Sequence, residues 1–313
     1  MQRLLPFILL FLAACTRAGL PGHKHEVTFI LTTGGTTRAA GPDENTVKDF
    51  NLLVFNAWGE LEEQVYVSAR ELKAQGGVPR CTLPLLKDVP YTFVATANTG
   101  YRLGVTNLAE ARAFRHHLAY PDEYGPGIPM AVVRDEIRAG EQVELRLERL
   151  MARIDLQTDR RALPEGVSIK VTEVEVEACP TWVMLFPGSR PLSRADVFLQ
   201  GLRLSGSDVD PLNREEEGTG LSGVLSLYVL ENCQGDEPGT GVSTRVTVRT
   251  EYHSDAYHTE AGETLSYRFY PQENRFDLER NTVYPVVLRW EGEGMPTEGP
   301  EGTFSGSRSS TGW

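Results

Sequence analysis

The sequence predicts an all-β protein of two β-sandwich domains in tandem, with one short helix. Three observations carry this. Apolar side chains alternate with polar ones in many short segments, turns rich in Gly, Pro and Asn separate them, and few stretches have helical period. A hydrophobic content of 40% beside 24% charged residues is ordinary for a folded chain.

The amino-terminal segment reads as an export signal. Arg3 supplies the positive charge and Leu4 to Leu12 an apolar run broken only by Pro6. This run is shorter than the roughly 20 residues a membrane-spanning helix needs, and it suits a signal peptide over residues 1–14. Leu12-Ala13-Ala14-Cys15 has the pattern of a bacterial lipobox, with the Cys15 thiol as acceptor of the lipid. Several acyl chains on one residue anchor stably. Thr16 takes the place where an acidic residue commonly retains lipoproteins at the inner membrane, so the expected location is the outer membrane, surface-exposed. Residues 15–25 form the lipidated tether.

Strands follow. Val27, Phe29 and Leu31 alternate with polar neighbours, and 32–46 is turn-rich. Asn51 to Ala57 is apolar on both faces, as an interior strand is. Val65 and Val67 share a face, and Tyr91, Phe93, Ala95 and Ala97 repeat the pattern up to the turn at Asn98-Thr99-Gly100. Asn107 caps the predicted helix, which runs to Leu118 and carries His116 and His117 on its solvated surface. Val143, Leu145 and Leu147 form one alternating set, and Leu150, Ala152, Ile154 and Leu156 another, one residue out of phase. A break near Glu148-Arg149 resolves the conflict, because a continuous strand would expose half of these side chains. The N-terminal domain is placed at 26–161 and the C-terminal domain at 162–291. Further strands are read at 169–176, 181–186, 225–230, 242–252, 265–270 and 283–290. Val246 and Val248 face opposite to Arg245, Thr247 and Arg249, and Pro285 predicts an edge position for the last strand. Residues 292–313 lack apolar period and read as a mobile tail.

A net charge of −12, without a basic cluster, speaks against nucleic acid. Beyond Cys15 the cysteines are Cys81, Cys179 and Cys233, so one disulfide at most forms, with Cys179–Cys233 the pair to test. Catalytic and metal motifs are missing. His253 and His258 flank Asp255 without a third ligand at recognised spacing. Asp208, Asp210 and Asn213 lack the glycine and final glutamate of a calcium loop. No nucleophile elbow or phosphate loop occurs. The protein is therefore read as a non-enzyme, with no catalytic residue, metal or cofactor assigned.

Several segments, in order, resemble the fimbrillins of the type V pili of the Bacteroidales. They are the lipobox, Thr37-Arg38-Ala39 leading into NLLVFNAWG, YTFVATANTG, LERLMARIDL (the family's Arg-x-x-Ala-Arg-Ile), LYVLENCQG (its Tyr-x-x-Glu-Asn) and NTVYPVVLRW (its Asn-x-x-Tyr terminal strand). The resemblance implies two transthyretin-like sandwiches, a place in a fimbrium, and assembly with other fimbrial subunits by strand exchange. It also implies a protease-processing site after Arg38, freeing Ala39, against which an uncut loop arginine stands as the alternative. The tail offers no obvious donor strand, which favours an anchor or accessory subunit over a stalk subunit. The alternative function is a surface lipoprotein that binds glycans or nutrients, for which Trp58, Trp182 and Trp290 are the candidate stacking residues.

Overall fold

A computed structural model of the protein describes residues 23–34, 44–123, 127–138, 140–187, 192–235, 241–257, 263–272, 275–295 and 299–306. In the first half, strands β1 (Lys24–Thr33), β2 (Phe50–Phe55), β3 (Leu61–Val67), β4 (Arg80–Leu86), β5 (Pro90–Ala97), β6 (Arg115–His117), β7 (Met130–Arg138) and β8 (Gln142–Arg149) surround helices α1 (Ala69–Ala74) and α2 (Leu108–Ala113). In the second half follow β9 (Met151–Ala162), β10 (Val167–Glu177), β11 (Trp182–Met184), β12 (Leu202–Ser205), β13 (Leu225–Leu230), β14 (Arg245–Ser254), β15 (Glu263–Phe269), β16 (Val283–Met295) and β17 (Gly299–Gly306).

Seven strands of the first half form one sheet in the order β3-β2-β5-β7-β8-β1-β4. β7 and β8 pair only at Met130–Arg149 and Ala131–Glu148, and beyond that short hinge the two wings fold over each other. Val27, Phe29, Leu31, Leu83, Leu85, Val143, Leu145 and Leu147 from one wing meet Phe50, Leu52, Val54, Tyr91, Phe93 and Ala95 from the other in one core. β2 is buried on both faces for a simple reason of period two. Phe50, Leu52 and Val54 enter this core, while Leu53 and Phe55 enter a second cluster with Val183, Leu185, Tyr228 and Leu230 of the second half.

The second half packs the sheet β13-β9-β16-β17 on the sheet β12-β10-β14-β15. Ile154, Leu156, Val286, Leu288 and Trp290 face Val171, Val174, Val176, Val246 and Val248 across the interior. The opposite side of β10 and β14 carries the expected polar set, now seen as cross-strand ion pairs of Arg245 with Glu177 and of Arg249 with Glu175.

Three expectations change, while the phase slip at Leu150 is indeed a break: β9 beyond it pairs with β13 and β16. A strand leaving one sheet for another must change phase, and the side chains follow. The helix ends at Ala113, where Phe114 turns extended, and His116 and His117 lie on β6, paired with β11. The tail expected to be mobile contains β17, antiparallel to β16, so β16 is an inner strand. Pro285 sits just before the first residue paired with β17, where its missing N–H costs no bond on that side. Finally, Cys81, Cys179 and Cys233 are free thiols. Helix α1 was not foreseen, although Ser68 and Glu71 form its capping box, the Ser-x-x-Glu signature.

His116 is buried and its Nδ1 lies 3.1 Å from the Tyr101 hydroxyl. Burial depresses its pKa to about 4. Because the unfolded imidazole takes its proton near 6.5, the folded state holds fewer protons between those values. Stability is full above pH 6.5 and falls as the pH drops towards 4, by on the order of 3 kcal/mol. Denaturant unfolding across pH 4–7 should show this slope, and His116→Phe should flatten it.

Candidate functional site

β1 is the strand on which the first half turns. It runs antiparallel to β4, with Lys24 opposite Leu86 and Ile30 opposite Arg80, and parallel to β8, with Thr28 opposite Gln142 and Thr33 opposite Leu147. Its alternation sends Val27, Phe29 and Leu31 inwards, with the Phe29 ring edge-on to Phe93 at 5.1 Å between centroids. β4 has no other neighbour in the sheet. Taking β1 away would therefore open a slot about 9–10 Å wide, two strand spacings, lined by unpaired backbone groups of β4 and β8 over an apolar floor.

A buried polar cluster closes the far end of β1. The guanidinium of Arg149, 1% exposed, donates through Nη2 to the Gly34 carbonyl (2.9 Å) and the Asn45 side chain (2.5 Å). Through Nε it reaches the Glu44 carbonyl (3.1 Å), and through Nη1 the side chain of Asn281 (3.1 Å). The Glu44 carboxylate, equally buried, accepts from Arg153 at 3.0 and 3.1 Å and from the Tyr228 hydroxyl. Burial, reinforced by Glu44, pushes the Tyr228 hydroxyl pKa far up. Burial pulls Arg149 down, whereas at Arg153 the same effect is outweighed by Asp155 and Glu44.

The next residues are fixed too. Asn98 accepts from the Lys48 amide (2.8 Å) and donates to the carbonyls of Thr46 (2.9 Å) and Ile128 (2.8 Å). The segments on which the resemblance rests thus converge. Asn98, the pair Arg149 and Arg153, Tyr228 and Asn281 come from four different segments, and all of them hold or adjoin the stretch 44–48, where the chain returns after β1. Their common target, the stretch 44–48, has no local signature in the sequence. Cys15, Arg38 and Ala39 lie outside the described residues. Gly34 and Asn45, on either side of the stretch containing Arg38, are bound to one nitrogen of Arg149.

The other candidates resolve into structure. Asn213 accepts from the Val171 amide and donates to the Val171 carbonyl, both at 2.8 Å, filling the bulge that follows Val171. His253 meets Asp255 at 3.1 Å in an exposed pair, while His258 lies outside the described residues. Among the described residues no three His, Cys, Asp or Glu side chains gather as a metal site. Burial pushes all three thiols up to about 12, away from nucleophilic use. Trp290 is core, and Trp182 is buried with Nε1 donating to Asp196 at 2.8 Å. Trp58 alone of these three is exposed.

No family model and no curated protein matches the sequence. Solved structures do match the fold. A fimbrilin (FimA) of Porphyromonas gingivalis is 14% identical, with 90% of this chain and 96% of that one covered and a TM-score of 0.57. The tip fimbrial protein Mfa3 of the same organism, with a C-terminal truncation, is also 14% identical over 92% of this chain and all of that one, at 0.55. A candidate cell adhesion protein of Bacteroides eggerthii is 13% identical over 92% and 97%, at 0.60. The chain has the fold of these Bacteroidales fimbrial and adhesion proteins.

Proposed function

We propose that the protein is a non-enzymatic structural subunit of a cell-surface fimbrium, held in the outer membrane by lipid on Cys15 after removal of residues 1–14. It consists of two transthyretin-like sandwiches divided at Leu150, and it joins other fimbrial subunits by β-strand complementation. The observation that supports this best is β1. One strand, the first described in the chain, fills a slot between β4 and β8 with three apolar side chains on alternate positions. An incoming strand with the same alternation could take its place, gaining both ladders and the same three pockets. Arg38–Ala39 is the cut that would release β1. An anchor or accessory subunit keeps its lipid and its own β1. The absence of a tail strand no longer supports that role, since β17 is present, so the role rests on the amino terminus.

Mass spectrometry of the protein isolated from its native membrane tests the reading. The expected amino terminus is Cys15 carrying acyl chains. A free Ala39 would instead make the protein a polymerising subunit, and an unmodified terminus near Thr16 without lipid would remove the anchor from the proposal.

A further inference from the structure

Trp58 is 80% exposed, and the turn that carries it is rigid. The Gly59 amide donates to the Asn56 carbonyl at 2.9 Å, and the Asn56 side-chain oxygen accepts from the amides of Trp58 and Glu60, both at 3.0 Å. Gly59 adopts φ +77°, and its carbonyl accepts from Leu108 at the start of α2 (2.8 Å). An Asn first and a Gly last are the residues this turn demands, so the indole is held out by a fixed backbone rather than left out by disorder.

Beside the turn lies an open hollow of about 630 Å3, within the size range of small-molecule sites. Asn56, Ala57 and Gly59 line it, and Trp58 is the residue between the last two in the chain. The opposite wall is built by an irregularity. On β7, Asp135 and Glu136 together oppose the single residue Thr92 of β5, and Glu136 takes φ +55°, unusual for a side chain with a Cβ. The bulge puts both residues in the wall of the hollow, where the Asp135 carboxylate accepts from Thr92 (3.2 Å) and faces Arg112 (3.6 Å). A bulge and a left-handed residue beside a cavity are features that cluster at binding sites.

We propose that this hollow binds a neutral saccharide of one or two rings, with Trp58 stacking on the apolar face of a sugar ring and Asp135, Glu136, Arg112 and Asn56 bonding its hydroxyls. The chemistry favours this class. Arg112 and Arg138 are matched by two carboxylates, so no surplus positive charge is left for a phosphate or an acidic peptide. A polar wall beside one exposed ring suits a ligand that is apolar on its faces and hydroxylated at its edge. The site adds an adhesive contact to the structural role and does not depend on strand replacement.

A microarray of neutral oligosaccharides probed with the full chain, followed by fluorescence titration with the strongest di- or trisaccharide, tests this. Binding is expected to quench tryptophan emission. Trp58→Ala and Asp135→Asn should each weaken it about tenfold or more, and Trp58→Phe should restore part of the loss. These side chains are exposed, so the melting curves of the variants should overlay that of the parent. Failure to bind any saccharide, or binding indifferent to both substitutions, overturns the proposal. So does a Trp58→Ala variant that keeps sugar binding but loses association between copies in sedimentation, which would make the indole a protein contact.

Discussion

Phe29→Ala is expected to lower the unfolding free energy by about 3–5 kcal/mol, the range for emptying a fully buried phenylalanine site. The position predicts the upper part of that range. Phe29 is wholly buried, it abuts Phe93 across the sandwich, and β1 is fixed by ladders on both sides, so the backbone cannot move inwards to fill the void. Thr28, its neighbour on the outward face, should tolerate alanine within about 0.5 kcal/mol. Denaturant unfolding followed by tryptophan fluorescence measures both. A loss below about 1 kcal/mol for Phe29→Ala would mean that the core closes without β1. That result would also remove the reason to regard positions 27, 29 and 31 as the pockets an incoming strand must fill.

What the sequence disclosed was whatever has a local period. Val27, Phe29 and Leu31, the two-sided Asn51 to Ala57, and the slip between Leu147 and Leu150 all mark which face is buried, and the structure places these faces in three apolar clusters. Partnership was hidden. Nothing around Glu44 announces that it belongs to Arg149 and Arg153, 105 and 109 residues away in its nearest bonds. β17 escaped notice because an edge strand pairs through its backbone and needs no apolar alternation. Phe114 to Leu118 has helix-compatible composition, and only pairing of Arg115–His117 with β11 ends the helix early. Residue type alone did not separate Trp58 from Trp182 and Trp290, since exposure depends on the turn that Asn56 and Gly59 build together.

Arg149→Met should cost about 1–3 kcal/mol for each acceptor it leaves unsatisfied, and its effect should appear in two distant places at once. The substitution keeps an unbranched apolar stem but removes every donor. Four acceptors then lose this partner: the buried carbonyl of Glu44, and the partly buried Gly34 carbonyl and side-chain oxygens of Asn45 and Asn281. Glu44 retains Arg153 and Tyr228, so the carboxylate is not stranded, and the loss falls on the three segments, at Gly34, Glu44-Asn45 and Asn281, that Arg149 ties together. Hydrogen exchange should therefore accelerate both at Thr32 to Gly34, the end of β1, and at Asn281 to Val283, the entry to β16. Phe29→Ala should accelerate the first site and spare the second. Glu44→Gln keeps the shape of the cluster while removing its negative charge, and with Arg149→Met it should show a coupling of about 0.5–3 kcal/mol, since the two residues share one network. The coupling should persist in high salt, because both groups are shielded from solvent ions. Exchange that rises only at β1 would show that the cluster belongs to the first half alone. Exchange that rises at both sites would establish that the strand proposed to be exchangeable and the strand carrying the C-terminal hairpin are held by the same guanidinium, so that loss of one contact is felt by the other.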